Sequence, residues 1–476
     1  MFTILSLLFF LAAPTAAYVV NNGTTCYLYP ESLTHSGQPV DDTPSVLQAF
    51  ELCGINGTII FTKNTFNMFQ IMNTTNLLNC NVEIQGELLY STNIPYWLSH
   101  SINVGLQNQS TAWLFGGTNI TIAGGGTING NGQVWYTQNR NNANQPRRPI
   151  TITFFNSTNL FVDSIRFIQP QFWASFISYS RNVTMTNILV NATSNDEWNV
   201  VNTDGTNTWN SADVFIANWT VQNGDDCVAA KGNTTNLHVK NVTCLEGNGM
   251  TVGSVGQYPL TPDYDEDILF EDVVVRRGIN AGYIKTWQGV PQDNSGNGDA
   301  GGGGSGLVRN VTFRNFEIED VGLPIQLSQC IYSETGADIC DTSKMRVEDV
   351  VWENVRGTSR YNIAASIFCT SNAPCPGIFF RDVNITSVNA TLGLPLWDTN
   401  LQDEVFQCAN IKNEADSGIP CNRRAPDNFG QVVRENVKDE PRVGPSLMMK
   451  SEGENLIDQR ALYSVGSWIM ELILRS

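Results

Sequence analysis

Charge is scarce in this sequence. Asp, Glu, Lys and Arg make up 15% of its 476 residues, against roughly 25% in ordinary globular domains. A chain so poor in charge suits strands and polar turns better than solvent-facing helices. The basic sign is the scarcer one: 27 Lys and Arg stand against 45 Asp and Glu, a net charge of −18. That balance argues against nucleic acid and anionic membranes as partners. Histidine is nearly missing, with only His35, His100 and His238. Without close Cys/His pairs there is no zinc spacing, and no metal or cofactor is expected. Past the first residues, no run is apolar enough for a membrane helix.

What is present points outside the cell. Residues 1–17 read as a secretory signal peptide cut before Tyr18. N-x-S/T sequons recur from Asn22 to Asn389, as in a glycoprotein, although an Asn- and Thr-rich chain also makes sequons by chance. The eleven cysteines fit disulfides in an oxidising compartment. Short-range candidates are Cys26–Cys53, Cys227–Cys244, Cys330–Cys340, Cys369–Cys375 and Cys408–Cys421, which leave Cys80 free. Spacing alone does not fix that connectivity. A secreted, extracellular monomer is the expectation.

A nine-residue pattern repeats, with alternating apolar residues and usually Asn or Asp sixth. It starts at Asn159, Asn182, Asp213, Asn236, Asp267, Asn310, Asp349 and Gly377, at steps of 23, 31, 23, 31, 43, 39 and 28 residues. Fainter copies begin at Asn81 and Asn119. Alternation predicts strands, and variable steps of coil length predict an all-β, right-handed parallel β-helix, a solenoid whose coils bury their inner faces only by stacking. The sixth residue is expected at a turn. A β-sandwich would need closer, hairpin-like spacing.

Residues 41–53, with Pro44 and apolar Val46, Leu47, Phe50 and Leu52, predict a short N-terminal capping helix. Residues 298–306 carry a glycine run, expected to be a flexible loop. The repeat stops near residue 425. The expected organisation is one β-helical catalytic domain over 18–425 and a tail over 426–476 without assigned structure.

One coil concentrates acids. Asp204 lies 22 residues before Asp226, near one coil length, and Asp225 adjoins it. Asn248 occupies a matching place one repeat later. Neighbouring strand side chains point to opposite faces, so Gly224 must allow a bend for Asp225 and Asp226 to share a cleft. Crowded carboxylates cannot all ionise cheaply, and an acid kept protonated beside an ionised base is what glycoside hydrolysis uses. Spacing alone equally allows a calcium site or a solvated turn.

Four ordered motifs resolve that choice: Asn202-Thr203-Asp204-Gly205, Gly224-Asp225-Asp226, Gly247-Asn248-Gly249 and Tyr283-Ile284-Lys285. In order and spacing they resemble glycoside hydrolase family 28, the polygalacturonases, over about residues 40–420. The resemblance implies Asp225 as general acid, Asp204 and Asp226 as the pair activating water, and Lys285 as a cation for a galacturonate carboxylate. Asn248 stands where many members have His, and Tyr283 where many have Arg. Those two, with residues 253–258 and Thr286-Trp287, resemble the exo-acting fungal enzymes, which imply galacturonic acid release from non-reducing ends of polygalacturonate or pectin oligosaccharides. An exo enzyme needs a closed cleft. Residues 91–118, with Tyr96, Trp97, Trp113 and Phe115, are candidates for the wall or for core. Because the net charge repels a polyuronide, local cations such as Lys231 or Arg277 are expected to help Lys285. Rival readings are a related hydrolase of xylogalacturonan or rhamnogalacturonan, a non-catalytic pectin-binding β-helix, and a pectate lyase.

Overall fold

In the computed structural model, the residues described are 18–30, 39–142, 145–291, 301–331, 337–361, 363–387 and 404–425. The expected signal peptide and the 426–476 tail lie outside them. The strands join into one continuous sheet that winds as a parallel β-helix. Among described residues only two strand pairs are antiparallel, Tyr18–Asn22 with Thr25–Tyr29 and Ile102–Asn103 with Ser110–Ala123.

The nine-residue repeat works by a kink. In the copy from Asn236, Leu237 and Val239 face the core, then Val242 and Cys244 do. The inward set therefore changes parity at position six, where Asn241 has φ 53°. The first position is also left-handed: Asn182, Asp213 and Asn236 have φ of 53°, 58° and 53°. Asn and Asp tolerate this conformation better than other side chains with a Cβ. Their amides also form ladders between coils. Asn182 Nδ2 donates to Asn159 Oδ1 at 2.7 Å, and Asn159 to Asn119 at 2.7 Å. On the other corner, Asn187 donates to Asp163 at 2.7 Å, Asn218 to Asn187 at 3.2 Å and Asn241 to Asn218 at 2.8 Å. Asn119, Asn182, Asn218 and Asn241 are sequon residues, so part of the sequon density has a structural source.

Core side chains stack in the same register. Phe270, Phe313 and Trp352 all hold the fourth repeat position, with ring centroids 5.2 and 5.3 Å apart. Helix Thr43–Cys53 covers the N-terminal end as expected, with Phe50 edge-on to Trp113 and Phe115. Two acids stand at its start. Asp41 Oδ1 accepts from Thr43 N, and Asp42 Oδ2 accepts from Asn67 N on the next coil.

All five disulfides form with the proposed pairing. Cys80 is the free cysteine, and burial pushes its thiol up to about 11. The glycine-run expectation is corrected for its described part. Gly302, Gly303 and Gly304 are pinned by backbone hydrogen bonds to Gln257, Gln288 and Gly256. A Cβ on Gly304 would lie 2.5 Å from Gly256 O, so close backbone packing rather than freedom selects glycine there.

Candidate active site

The four motifs fall on successive coils of one sheet face. Strands Thr206–Trp209, Val228–Ala230, Met250–Val255 and Gly282–Thr286 pair in parallel, with Thr206, Val228, Met250 and Gly282 in register. Asp204, Asp226 and Asn248 each stand two residues before such a position, so they form one column. Asp226, not Asp225, is therefore level with Asn248. The count from repeat starts is one out for a structural reason. Gln222 pairs with Leu245 and Val228 with Met250, so the corner at 222–228 holds one residue more than the corner after it. The extra residue lets both Asp225 and Asp226 face the groove. Gly224 takes no left-handed φ; it is small because a Cβ would sit 2.6 Å from Val200 O.

Asp225 is partly buried. Its Oδ1 accepts from Asn248 Nδ2 at 3.1 Å and from Asp226 N at 2.8 Å, and its Oδ2 from Asn202 Nδ2 at 3.1 Å. Asn248 thus orients Asp225 rather than titrating. Asp226 is buried and fully engaged. Lys285 Nζ is 2.9 Å from Oδ2 and 3.2 Å from Oδ1, and Thr251 Oγ1 donates to Oδ1 at 2.8 Å. Asp204 is buried, with Oδ2 accepting from Asn207 Nδ2 at 3.1 Å and Oδ1 without a partner among the described residues.

These surroundings separate the three acids. Burial, then the charges of Asp225 and Asp226, raise Asp204 well above the usual carboxylate range. Burial and Asp226 raise Asp225. Burial also works to raise Asp226, but Lys285 and Lys231 outweigh it and hold the group low. Asp226 stays ionised while its two neighbours compete for a proton, the division of labour an acid/base pair requires. Oxygens of all three lie within 4.8 Å of one another and would suit a cation. Lys285 already occupies that place at Asp226.

Tyr283 is buried beside Trp287 and Ile331, and Lys285 Nζ sits 5.3 Å from the centre of its ring. An arm of the chain stands on the N-terminal side of the acids. Residues 102–109 form a hairpin arm that lays Val104 and Leu106 on Ile150, Phe172, Trp173 and Phe176. Its tip reaches the loop after Met250–Val255: Gln107 N donates to Tyr258 Oη at 2.9 Å, and Gln107 Nε2 to Gln257 Oε1 at 3.0 Å. The stretch 91–118, expected to form a wall, does carry this arm, but the named aromatics do not build it. Trp97, Trp113 and Phe115 are fully buried core, and Tyr96 stacks on His100.

The sequence profile of Glycosyl hydrolases family 28 matches residues 63–416. The chain belongs to this family. A putative galacturan 1,4-alpha-galacturonidase A of Aspergillus niger is 37% identical, over 87% of this chain and 96% of that protein. An alpha-L-rhamnosidase of Aspergillus niger is also 37% identical, over 78% and 85%. Among solved structures, the endo-xylogalacturonan hydrolase of Aspergillus tubingensis superposes with a TM-score of 0.69 at 24% identity, covering 84% of this chain and all of that one, a likeness of fold.

Family 28 motifs leave several site residues unmarked. Thr251 and Asn207 hold Asp226 and Asp204, and only the strand register could have found them. Lys231 does join the site: its Nζ is 3.9 Å from Asp226 Oδ2 and 5.6 Å from the ring centre of Trp173. Arg277 does not; it pairs with Glu246 at 3.5 Å on the preceding corner.

Proposed function

We propose that this chain is a secreted, exo-acting, inverting hydrolase of α-1,4-linked galacturonate chains, releasing galacturonic acid from the non-reducing end. The observation that carries the reading is a fixed negative charge at Asp226 between two acids of raised pKa, in a groove that ends at the 102–109 arm. Asp225 protonates the departing glycosidic oxygen. Water attacks the anomeric carbon from the opposite side, held by Asp226, and passes its proton to the unpartnered Oδ1 of Asp204. One proton thus leaves Asp225 and one arrives at Asp204 in each turnover, so the pair must re-equilibrate. Lys285 divides its donors between Asp226 and a substrate carboxylate, and Tyr283 floors the subsite beside it.

One distance pulls the other way. Carboxyl groups in inverting enzymes are usually ~6.5–9.5 Å apart and in retaining ones ~5–5.5 Å. One oxygen of each acid lies within 4.8 Å of the others, closer than that inverting range. Asp226, with both oxygens bonded to Lys285, is a poor nucleophile, and family 28 membership is what favours inversion over attack by Asp204. Closure by the arm supports exo action, and the name of the galacturonidase relative agrees. Five disulfides support export to an oxidising compartment.

A second reading is hydrolysis of a terminal neutral sugar, as the rhamnosidase relative suggests. Two lysines at the reacting centre favour a uronate. The test is product analysis on polygalacturonate with a chelator present. Monomer alone from the outset is expected, and Asp225→Asn should lower kcat by ~100-fold or more, the usual contribution of a positioned acid. Unsaturated products, early oligomers, or full activity in Asp225→Asn would contradict the proposal.

A further inference from the structure

Two lysines converge on one oxygen of Asp226, and only Lys285 is hydrogen-bonded to it. Lys285 bonds both carboxylate oxygens. Lys231 stands 3.9 Å away, too far for a hydrogen bond, with its side chain only 6% exposed. Among the described residues its Nζ makes no hydrogen bond, although an ammonium has three donors. Its stem is buried, but its Nζ is not among the solvent-excluded polar atoms, so a bound group can reach it. Burial and the nearby charge of Lys285 both pull its pKa down. Lys231 directly follows strand Val228–Ala230, five residues after Asp226.

Its placement shows what would satisfy it. The ammonium lies over Trp173, whose ring belongs to the cluster that Val104 and Leu106 of the closing arm cover. Lys231 therefore sits between the acids and the dead end of the groove. Lys285 reaches Asp226 from the opposite side, from a strand two coils further on. A sugar unit between the acids and the arm meets Lys231 first.

Resting on the exo-galacturonate reading above, we propose that Lys231 is the specificity-determining residue for the terminal sugar. Its spare donors take the carboxylate of the non-reducing-end galacturonate, and a neutral terminal sugar leaves them unsatisfied. The required partner is an anionic, planar oxygen pair on the terminal unit.

The test compares trigalacturonate with the same trimer whose non-reducing terminal carboxylate is reduced to the alcohol. The readout is the ratio of kcat/KM values for wild type, Lys231→Met and Lys231→Arg. Lys231→Met keeps most of the stem and removes the charge. Its loss on trigalacturonate should exceed its loss on the reduced-end trimer by about 10- to 100-fold, the range for a charged hydrogen bond. Lys231→Arg should keep the preference for the acid. A ratio unchanged by Lys231→Met, meaning equal losses on both substrates, would make Lys231 a support for Asp226 alone and overturn the proposal. Wild-type protein inactive on trigalacturonate would overturn the exo-galacturonate reading itself, which separates the two failures.

Discussion

At the scale of single residues, the site is a problem of three carboxylates and fewer than three charges. Asp226 is held low by its lysines, whereas Asp204 and Asp225 are raised. Activity needs a proton on Asp225 with Asp204 and Asp226 ionised. It should fall as pH rises and Asp225 loses its proton, and fall again towards acid as Asp204 takes one. An acidic optimum in a pH–rate profile is expected, and an optimum on the alkaline side of neutrality would contradict it. The stability signs follow from the same shifts. A group with a raised folded-state pKa contributes fully below its unfolded value and loses that contribution as pH rises through the folded one. A lowered group such as Asp226 contributes above its unfolded value and loses it as pH falls. Asp204→Asn should therefore abolish turnover yet raise stability at neutral pH by roughly 0.5–2 kcal/mol, a common gain when a strained functional group is removed. The gain should vanish in acid, which melting curves at two pH values would show. The motif residues were legible in the sequence. Thr251, Asn207 and the full weight of Lys231 were not, because what places them is register between coils.

At the scale of elements, the repeat conveyed the strands and the sixth-position turn, but hid the kink. A nine-residue alternation looks like one strand; the left-handed residue at position six makes it two faces of a coil. Asn187 isolates the cause, with φ 56° and amide contacts to Asp163 and Asn218. Asn187→Ala should cost about 2–3 kcal/mol, combining lost hydrogen bonds with ~1–2 kcal/mol for a Cβ in this conformation. Asn187→Gly should cost clearly less, since glycine accepts the backbone angle. Urea titration of the pair separates the two contributions, and equal losses would rule out the backbone share. The extra residue in the 222–228 corner was equally hidden, since coil lengths vary too much for one residue to stand out. The closing arm was half-visible. Its aromatic flanks drew notice, but Trp113 and Phe115 belong to the core, and the wall is made by Val104, Leu106 and Gln107.

At the scale of the whole molecule, a protein of net charge −18 handles a polyanion by confining its cations. Lys231 and Lys285 are buried at the acids, while the Arg and Lys of the outer strands pair with Glu and Asp, as Arg314 does with Glu353 and Lys240 with Glu271. The parallel stack supplies what such a site needs: three coils place four polar side chains in fixed register, and an arm from an earlier coil stands on their N-terminal side. The account as a whole is decided by the first product. Proton NMR during hydrolysis of a defined oligogalacturonide should show β-galacturonic acid appearing first and alone, with the α form growing only by mutarotation. Initial release of the α anomer, or of any internal fragment before the monomer, would contradict it.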